Sequence, residues 1–142
     1  MYRKTIVFSD KRPREAAELE IELQTIASRY GYSPKILNTE FTDTECYITM
    51  TNLGMCLADR FGDKPEDIPK DYWIQIQSIV RTLYEVEGIE YIDITPYNFI
   101  EQNGLVYVID FGDALYTKGP ETINWFLKEF MEEPYGWNPD FA

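Results

Sequence analysis

Tyr91–Asn98, with the sequence YIDITPYN, and Val108–Ala114, with the sequence VIDFGDA, are the stretches that decide how this chain folds. They place Asn98 five residues after Asp93, and Asp110 twelve residues after Asn98. An Asn-Gly pair lies between apolar runs in the intervening segment, and such a pair is a strong signal for a two-residue β-hairpin turn. Since the two strands of a hairpin are neighbours, we expect Asn98 and Asp110 to lie close together in space.

The three polar side chains of these stretches suit one kind of chemistry. Asp93 and Asp110 supply carboxylate oxygens and Asn98 supplies an amide oxygen. Oxygen ligands of this kind are the ones that magnesium prefers in proteins. The sequence therefore predicts a magnesium site at the ends of neighbouring strands, and the alternative is that the two aspartates only cap turns.

Outside these stretches, residue patterns predict an α+β fold in which a small antiparallel sheet with one long helix is followed by a reduced helical part that carries the hairpin. Asp10 is expected to be the N-cap of that helix, and residues 134–142 are expected to form an extended segment that packs back onto the body. The predicted strands are Tyr2–Ser9, Lys35–Phe41, Glu45–Thr51, Ile89–Ile92, Phe99–Ile100 and Leu105–Ile109, and the predicted helices are Lys11–Tyr30, Met55–Phe61, one from near Pro69 to Gly88, and one that begins at Pro120.

The bulk composition predicts a single globular domain over residues 1–142. Hydrophobic residues make up 44% of the chain, which is enough for a packed core. The chain has no histidine, and this excludes His-based catalysis and His-ligated zinc. Cys46 and Cys56 form no Cys-x-x-Cys motif, so we expect them to be reduced core cysteines of a cytoplasmic protein.

The formal net charge of −12 restricts the possible partners. A strongly acidic chain repels phosphate backbones, so direct binding to nucleic acid is not expected. No apolar run approaches the roughly 18 residues that a membrane span needs. The charge itself indicates either solubility or an acidic surface for a basic protein partner, and a mimic of DNA is a further alternative.

The spacing of Asp93, Asn98 and Asp110 resembles the catalytic loop and Asp-Phe-Gly motif of the protein-kinase-like superfamily. The resemblance implies binding of ATP with Mg²⁺, with Asp93 as the catalytic residue and Asn98 and Asp110 as metal ligands. Thr95 stands where typical protein kinases have lysine. A Ser or Thr at this position resembles the RIO family of atypical kinases. Residues 110–114, DFGDA, also resemble aminoglycoside phosphotransferases. Tyr91 replaces the usual histidine of the motif, whose role in the family is structural.

The resemblance extends upstream of the motif. Residues 50–54, MTNLG, resemble the hinge that frames adenine, so Met50 and Asn52 are expected to bind the nucleotide. The helix over Lys11–Tyr30 would be the regulatory helix of the small lobe. Its Glu20 or Glu22 could pair with the lysine that contacts the phosphates, although both could equally be solvated.

The lysine that contacts the phosphates matches the superfamily less closely than the motif residues do. In the alignment its position falls nearer Ile6, but the lysine of this strand is Lys4, which lies on the same face as Ile6. We therefore predict Lys4 as the residue that contacts phosphate.

The chain also departs from the superfamily. It contains no Gly-x-Gly-x-x-Gly motif, and the strands that would carry this motif and most of the C-terminal helical subdomain are expected to be missing. The predicted fold is thus a truncated kinase-like domain, with a reduced N-lobe over residues 1–51 and a reduced C-lobe over residues 52–142.

Three functions are compatible with this pattern. The first is a minimal kinase that transfers phosphate from ATP to a protein Ser or Thr, or to another hydroxyl group. The second is a pseudokinase or interaction module that binds a partner through an acidic surface, with or without nucleotide. The third is an acidic inhibitor of a nucleic-acid enzyme, which depends on the charge alone.

Overall fold

A computed structural model describes residues 1–141 and shows an α+β fold with small antiparallel sheets. Within these residues the strands are β1 (Tyr2–Val7), β2 (Ile36–Phe41), β3 (Glu45–Met50), β4 (Met55–Cys56), β5 (Ile89–Glu90), β6 (Phe99–Gln102), β7 (Leu105–Val108) and β8 (Leu115–Tyr116), and the α-helices are α1 (Arg14–Arg29), α2 (Leu57–Phe61), α3 (Lys70–Glu87) and α4 (Trp125–Glu132). The α+β class predicted from the sequence is confirmed. No helix in the described part of the chain has the length and apolar character needed to cross a membrane.

The first sheet has the strand order β1-β3-β2, and all of its pairings are antiparallel. Its buried side chains alternate along the strands, as expected when only one face of a sheet is covered. Helix α1 covers that face with Ala17, which joins a small core with Ile6, Cys46, Ile48 and Met50. The sheet and helix together hold the N-terminal half of the site described below.

Helix α1 begins later than the sequence predicted. Its first helical residue is Arg14 and Pro13 occupies the N-cap position, so the prediction of Asp10 as N-cap was wrong. Proline disfavours helical backbone in the residue that precedes it, and this keeps Arg12 out of the helix. Instead, Ser9 and Arg12 exchange backbone hydrogen bonds of 2.9 and 3.2 Å and close a turn.

Both long helices end at the predicted glycines. After α1, Gly31 has φ +77°, and the N–H groups of Gly31 and Tyr32 donate to Ser28 O and Ala27 O. This pattern is a Schellman motif, which satisfies the last carbonyls of a helix. After α3, Gly88 likewise adopts φ +68°.

A larger core fills the space between α3, α4 and the hairpin. It includes Trp73, Leu83, Phe99 and Phe130, and α1 contributes Leu23 to it. Because α1 contributes to both cores, it fixes the first sheet against the rest of the molecule.

The last helix also begins later than predicted. Pro120–Thr122 forms only a 3₁₀ turn, and α4 follows from Trp125. Asn124 is the N-cap, and its Oδ1 accepts hydrogen bonds from Phe126 N at 3.0 Å and Leu127 N at 3.1 Å. A side-chain cap of this kind defines the helix start more strongly than a proline several residues earlier.

The predicted hairpin is present as β6 and β7. Asn103 and Gly104 connect the strands with φ of +54° and +80°, as a type I′ turn requires. Strand β4 pairs with the outer side of β6. The short strands β5 and β8 pair with each other, and they bring the segment that contains Asp93 and the segment that contains Asp110 to the same end of the hairpin.

Candidate functional site

Asp110 lies two residues after β7, where the backbone leaves the hairpin. Its φ of +61° is in the left-handed region, which aspartate tolerates better than most residues do. Its Oδ1 accepts a hydrogen bond of 3.1 Å from Gly112 N and lies 3.2 Å from Lys4 Nζ. The turn therefore presents the carboxylate to Lys4 of β1 and leaves the side chain 38% exposed.

Lys4 forms a second ion pair, with Glu20 of α1. Glu20 is fully buried at 1% exposure, and its Oε2 accepts a hydrogen bond from Lys4 Nζ. Burial lowers the pKa of Lys4, but the attraction of Glu20 and Asp110 outweighs this effect, so the net pKa is raised. The ammonium group stays charged and is held between two carboxylates.

The sequence left open whether Glu20 or Glu22 pairs with the lysine, and in the structure Glu20 is the partner of Lys4. Glu22 does not face Lys4, because its Oε2 accepts a hydrogen bond of 2.5 Å from Tyr116 OH.

Asn98 lies immediately before β6, and its partners connect it to both aspartates. Its Nδ2 donates to the backbone oxygen of Asp93 at 3.0 Å, and its own backbone oxygen accepts from Ile109 N at 2.9 Å. Because the amide nitrogen is engaged with Asp93, the amide oxygen is the atom that remains to ligate a cation. The hairpin thus brings Asn98 next to Asp110, as the sequence predicted.

Asp93 has an unusual acidity for an aspartate. Burial raises its pKa from 3.8 to about 6, and the negative charges of Asp110 and Asp113 act in the same direction. The Asn98 amide and the Lys4 ammonium group oppose this shift. A carboxylate with such a pKa can exchange a proton near neutral pH, which general bases require.

Tyr91 stabilises the segment that carries Asp93 through its ring and its hydroxyl group. Its ring is buried at 1% exposure and packs edge-on against Phe111, with a centroid distance of 5.2 Å. Its hydroxyl donates a hydrogen bond of 2.6 Å to Ile109 O. Tyr91 therefore connects the stretch that carries Asp93 to the stretch that carries Asp110.

A cavity of about 280 Å³ opens beside Asn98 and Asp110, and Asp93 is not among its lining residues. One wall is formed by Lys4, Asn98 and Asp110, and the opposite wall is formed by residues 50–56. Met50 and Asn52, which the sequence predicted as nucleotide contacts, both line the second wall. Asn52 Oδ1 accepts a hydrogen bond of 3.0 Å from Gly54 N, and this bond shapes the loop around the cavity. The lining is mainly apolar along residues 50–56, and its charged members are Lys4, Asp110 and Asp59.

A metal would need ligands from outside the protein. Within residues 1–141 there is no group of three or more Cys, Asp and Glu side chains arranged to hold a metal ion. Asn98 and Asp110 supply two oxygen ligands, and Mg²⁺ is commonly held by one or two protein oxygens together with phosphates and water. The donor set therefore fits a magnesium ion that arrives with a phosphorylated ligand.

Two further residues at the site were not predicted from the sequence. Arg12 Nη1 lies 3.1 Å from Glu20 Oε1, the oxygen that does not bind Lys4. Asn138 is fully buried, and it hydrogen-bonds to the segment around Asp93. The cluster of basic residues at positions 11, 12 and 14 could have pointed to Arg12, but the sequence contains no comparable signal for Asn138.

Comparison of the chain with models of known protein families and with curated proteins found no significant match. The function must therefore be argued from the geometry of the site.

Proposed function

We propose that this protein is a minimal kinase-like phosphotransferase. It would bind ATP with Mg²⁺ and transfer the terminal phosphoryl group to a protein Ser or Thr, or to another hydroxyl acceptor, in the cytoplasm. The observation that carries the proposal is the Lys4 ammonium group, which lies 3.2 Å from Asp110 and also pairs with the buried Glu20 at the charged end of the cavity. A truncated kinase-like architecture, with lobes over residues 1–51 and 52–142, is part of this proposal.

The two ends of the cavity suit the two ends of a nucleotide. The apolar wall around Met50 and Leu53 would accept a flat base. Lys4 would contact the phosphates, and Asn98 and Asp110 would hold Mg²⁺ against them. Glu20 keeps the ammonium group of Lys4 in place, so no protein rearrangement is needed when phosphate arrives.

Asp93 is the residue that would handle the proton. When the acceptor hydroxyl attacks the terminal phosphorus, the bond between this phosphorus and the ADP oxygen breaks and the hydroxyl proton passes to Asp93. A pKa of about 6 allows Asp93 to be ionised at neutral pH and still basic enough to take part in the transfer. Positioning and charge neutralisation supply most of the remaining rate enhancement in phosphoryl transfer.

A second candidate is a binding module without phosphoryl transfer, which would recognise a basic protein partner. The net charge of −12 and the lack of a Gly-x-Gly-x-x-Gly motif favour it, because acidic surfaces attract basic partners and an uncovered phosphate is open to water. The retained pair of Lys4 and Glu20 favours the first candidate, since a module that binds only protein has no need for a cation held at a cavity.

The two candidates are separated by measuring nucleotide binding and ADP release for the same variants. We expect Asp110→Asn to lose Mg²⁺-dependent ATP binding and Asp93→Asn to retain binding but lose ADP release. Asp43→Asn, in the exposed turn between β2 and β3, is the matched control and should behave as wild type. Binding without ADP release in the wild type would favour the second candidate, and no binding at millimolar ATP would contradict the first.

A further inference from the structure

Arg12 occupies a defined position beside the proposed phosphate subsite. The turn between Ser9 and Arg12 delivers it from the loop that follows β1, and the hydrogen bond of 3.0 Å from Arg12 N to Ser9 Oγ fixes that turn. Its guanidinium group pairs with Glu20 Oε1 at 3.1 Å, while the other oxygen of Glu20 binds Lys4. One buried carboxylate therefore holds two cations side by side.

The guanidinium group also lies directly against Gly112. A Cβ atom built on Gly112 would be 1.7 Å from Arg12 Nη2 and 2.6 Å from Arg12 Cζ. A side chain at position 112 would therefore displace the guanidinium group, which is the flexible end of the Arg12 side chain. The backbone of Gly112 itself is not in the left-handed region.

Arg12 is adjacent to the Lys4 end of the cavity, although it does not line the cavity itself. It pairs with Glu20, which also binds Lys4, and its guanidinium group lies against Gly112, two residues after Asp110. A ligand that extends past Lys4 and Asp110 toward Gly112 would therefore meet Arg12 with its far end.

The guanidinium group has the capacity to bind such a ligand. It carries five N–H donors, and the ion pair with Glu20 engages Nη1. The side chain is 35% exposed, so part of the guanidinium group is within reach of a ligand. Planar guanidinium groups bind phosphate oxygens in bidentate fashion.

We propose that Arg12 is a second phosphate-binding cation, which contacts the terminal phosphate of a nucleoside triphosphate while Lys4 contacts the inner phosphates. This inference rests on the proposed function and specifies how the site distinguishes a triphosphate from a diphosphate. Arg12 then neutralises the charge on the transferred group at a place where no glycine-rich hairpin covers it in the described residues.

The test is the ratio of the dissociation constants for ADP and for the β,γ-imido analogue of ATP, measured by calorimetry with Mg²⁺. Arg12→Ala removes a charge-assisted hydrogen bond to the terminal phosphate. We therefore expect it to weaken binding of the triphosphate by about tenfold or more and binding of the diphosphate by less than about threefold. Arg12→Lys should restore part of the difference. Arg14→Ala is the matched control, because Arg14 stacks on Phe41 at 4.4 Å and pairs with Glu18 at 3.8 Å.

A second variant protects the test against a loss of folding. Gly112→Ala retains Arg12 but displaces its guanidinium group, so it should also reduce the ratio of the dissociation constant for ADP to that for the ATP analogue. The double variant of Arg12→Ala and Gly112→Ala should reduce this ratio no further than either single variant does. Equal weakening of both nucleotides by Arg12→Ala, or no weakening, would overturn the inference and leave the proposed function intact. A wild-type protein that binds neither nucleotide would overturn the proposed function and this inference together.

Discussion

Asn138 hydrogen-bonds to the backbone on both sides of Asp93. Its Nδ2 donates to Ile92 O at 2.8 Å, and its backbone N–H donates to Ile94 O at 2.9 Å. The asparagine is fully buried, and its own Oδ1 accepts a hydrogen bond of 3.1 Å from Asp140 N. The C-terminal segment thus holds the loop that carries the proposed catalytic aspartate.

Replacing Asn138 should therefore affect turnover more than nucleotide binding. Asn138→Ala removes one of the two donors to Ile92 O, which also accepts a hydrogen bond of 2.8 Å from Ile94 N, so we expect the free energy of unfolding to fall by about 1 kcal/mol. We expect ATP affinity to stay near the wild-type value, because Asn138 is remote from the cavity wall, while ADP release falls. Urea unfolding and turnover measurements check this, with the exposed Asn38→Ala as control. If ATP affinity and turnover fell by the same factor in Asn138→Ala, this would contradict the inference that Asn138 acts specifically by holding Asp93.

Tyr91→Phe tests the hydrogen bond that connects the two motif stretches. The variant keeps the buried ring against Phe111 but leaves Ile109 O without the hydroxyl donor at 2.6 Å. We expect the free energy of unfolding to fall by about 1–3 kcal/mol, because a buried acceptor is left unsatisfied. Tyr97→Phe, at a side chain that is 59% exposed, should change it by less than about 0.5 kcal/mol. Similar values for the two variants in urea unfolding would show that the Tyr91 hydroxyl is not important.

Lys4→Met tests the cation that joins β1 to the site. The variant leaves Asp110 without its ion-pair partner, while Glu20 retains Arg12 at 3.1 Å. We expect a stability loss of about 1–2 kcal/mol, below the roughly 3–5 kcal/mol of a fully buried pair, because Lys4 is partly exposed. ATP affinity should fall by about tenfold or more, since a charged contact to phosphate is lost. Arg3→Met is the control, because Arg3 pairs with Glu40 at 3.9 Å on the exposed side of the sheet. Unchanged ATP affinity in Lys4→Met would remove Lys4 from the site.

Asp93 should give both turnover and stability a dependence on pH. Proton acceptance requires the ionised form, so we expect kcat/KM to rise with pH and to level off above about pH 6. Its pKa is higher in the folded protein than the ordinary value of 3.8, so the fold favours the protonated form. The free energy of unfolding should consequently fall as pH rises through about 6, and Asp93→Asn should lose this dependence.

Unfolding in urea at several pH values checks the second part of this prediction. Parallel stability profiles for the wild type and Asp93→Asn would contradict the raised pKa. The same comparison for Asp43→Asn controls for the loss of one negative charge.

The parts of the fold that could be predicted from the sequence are those determined by neighbouring residues. The Asn103-Gly104 turn adopts left-handed backbone that few other pairs accept, so the hairpin and its register were predictable. The helix ends at Gly31 and Gly88 were predictable for the same reason. Where two local signals competed, as with Asp10 and Pro13, the stereochemical restriction of proline decided the helix start.

The parts that could not be predicted depend on contacts between distant segments. Asn138 contacts a residue 46 positions away, and Lys4 contacts one 106 positions away. The motif alignment placed the phosphate-contacting lysine nearer Ile6, and Lys4 was predicted as the lysine of the same strand and face, whereas nothing in the sequence pointed to Asn138. Arg12 is one of several basic residues near the start of the chain, and its ion pair with Glu20 and its packing against Gly112 distinguish it from the others.

The central claim is that a nucleotide lies between residues 50–56 and Asp110, and titration of MgATP into ¹⁵N-labelled protein tests it most directly. We predict chemical-shift changes at the amides of Gly54 and Gly112 and at the side-chain amide of Asn98, with no change at Gly119 or Gly136. Omission of Mg²⁺ should reduce the changes at Asn98 and Gly112 more than at Gly54. No shifts at millimolar MgATP, or shifts confined to residues outside this cavity, would contradict the account.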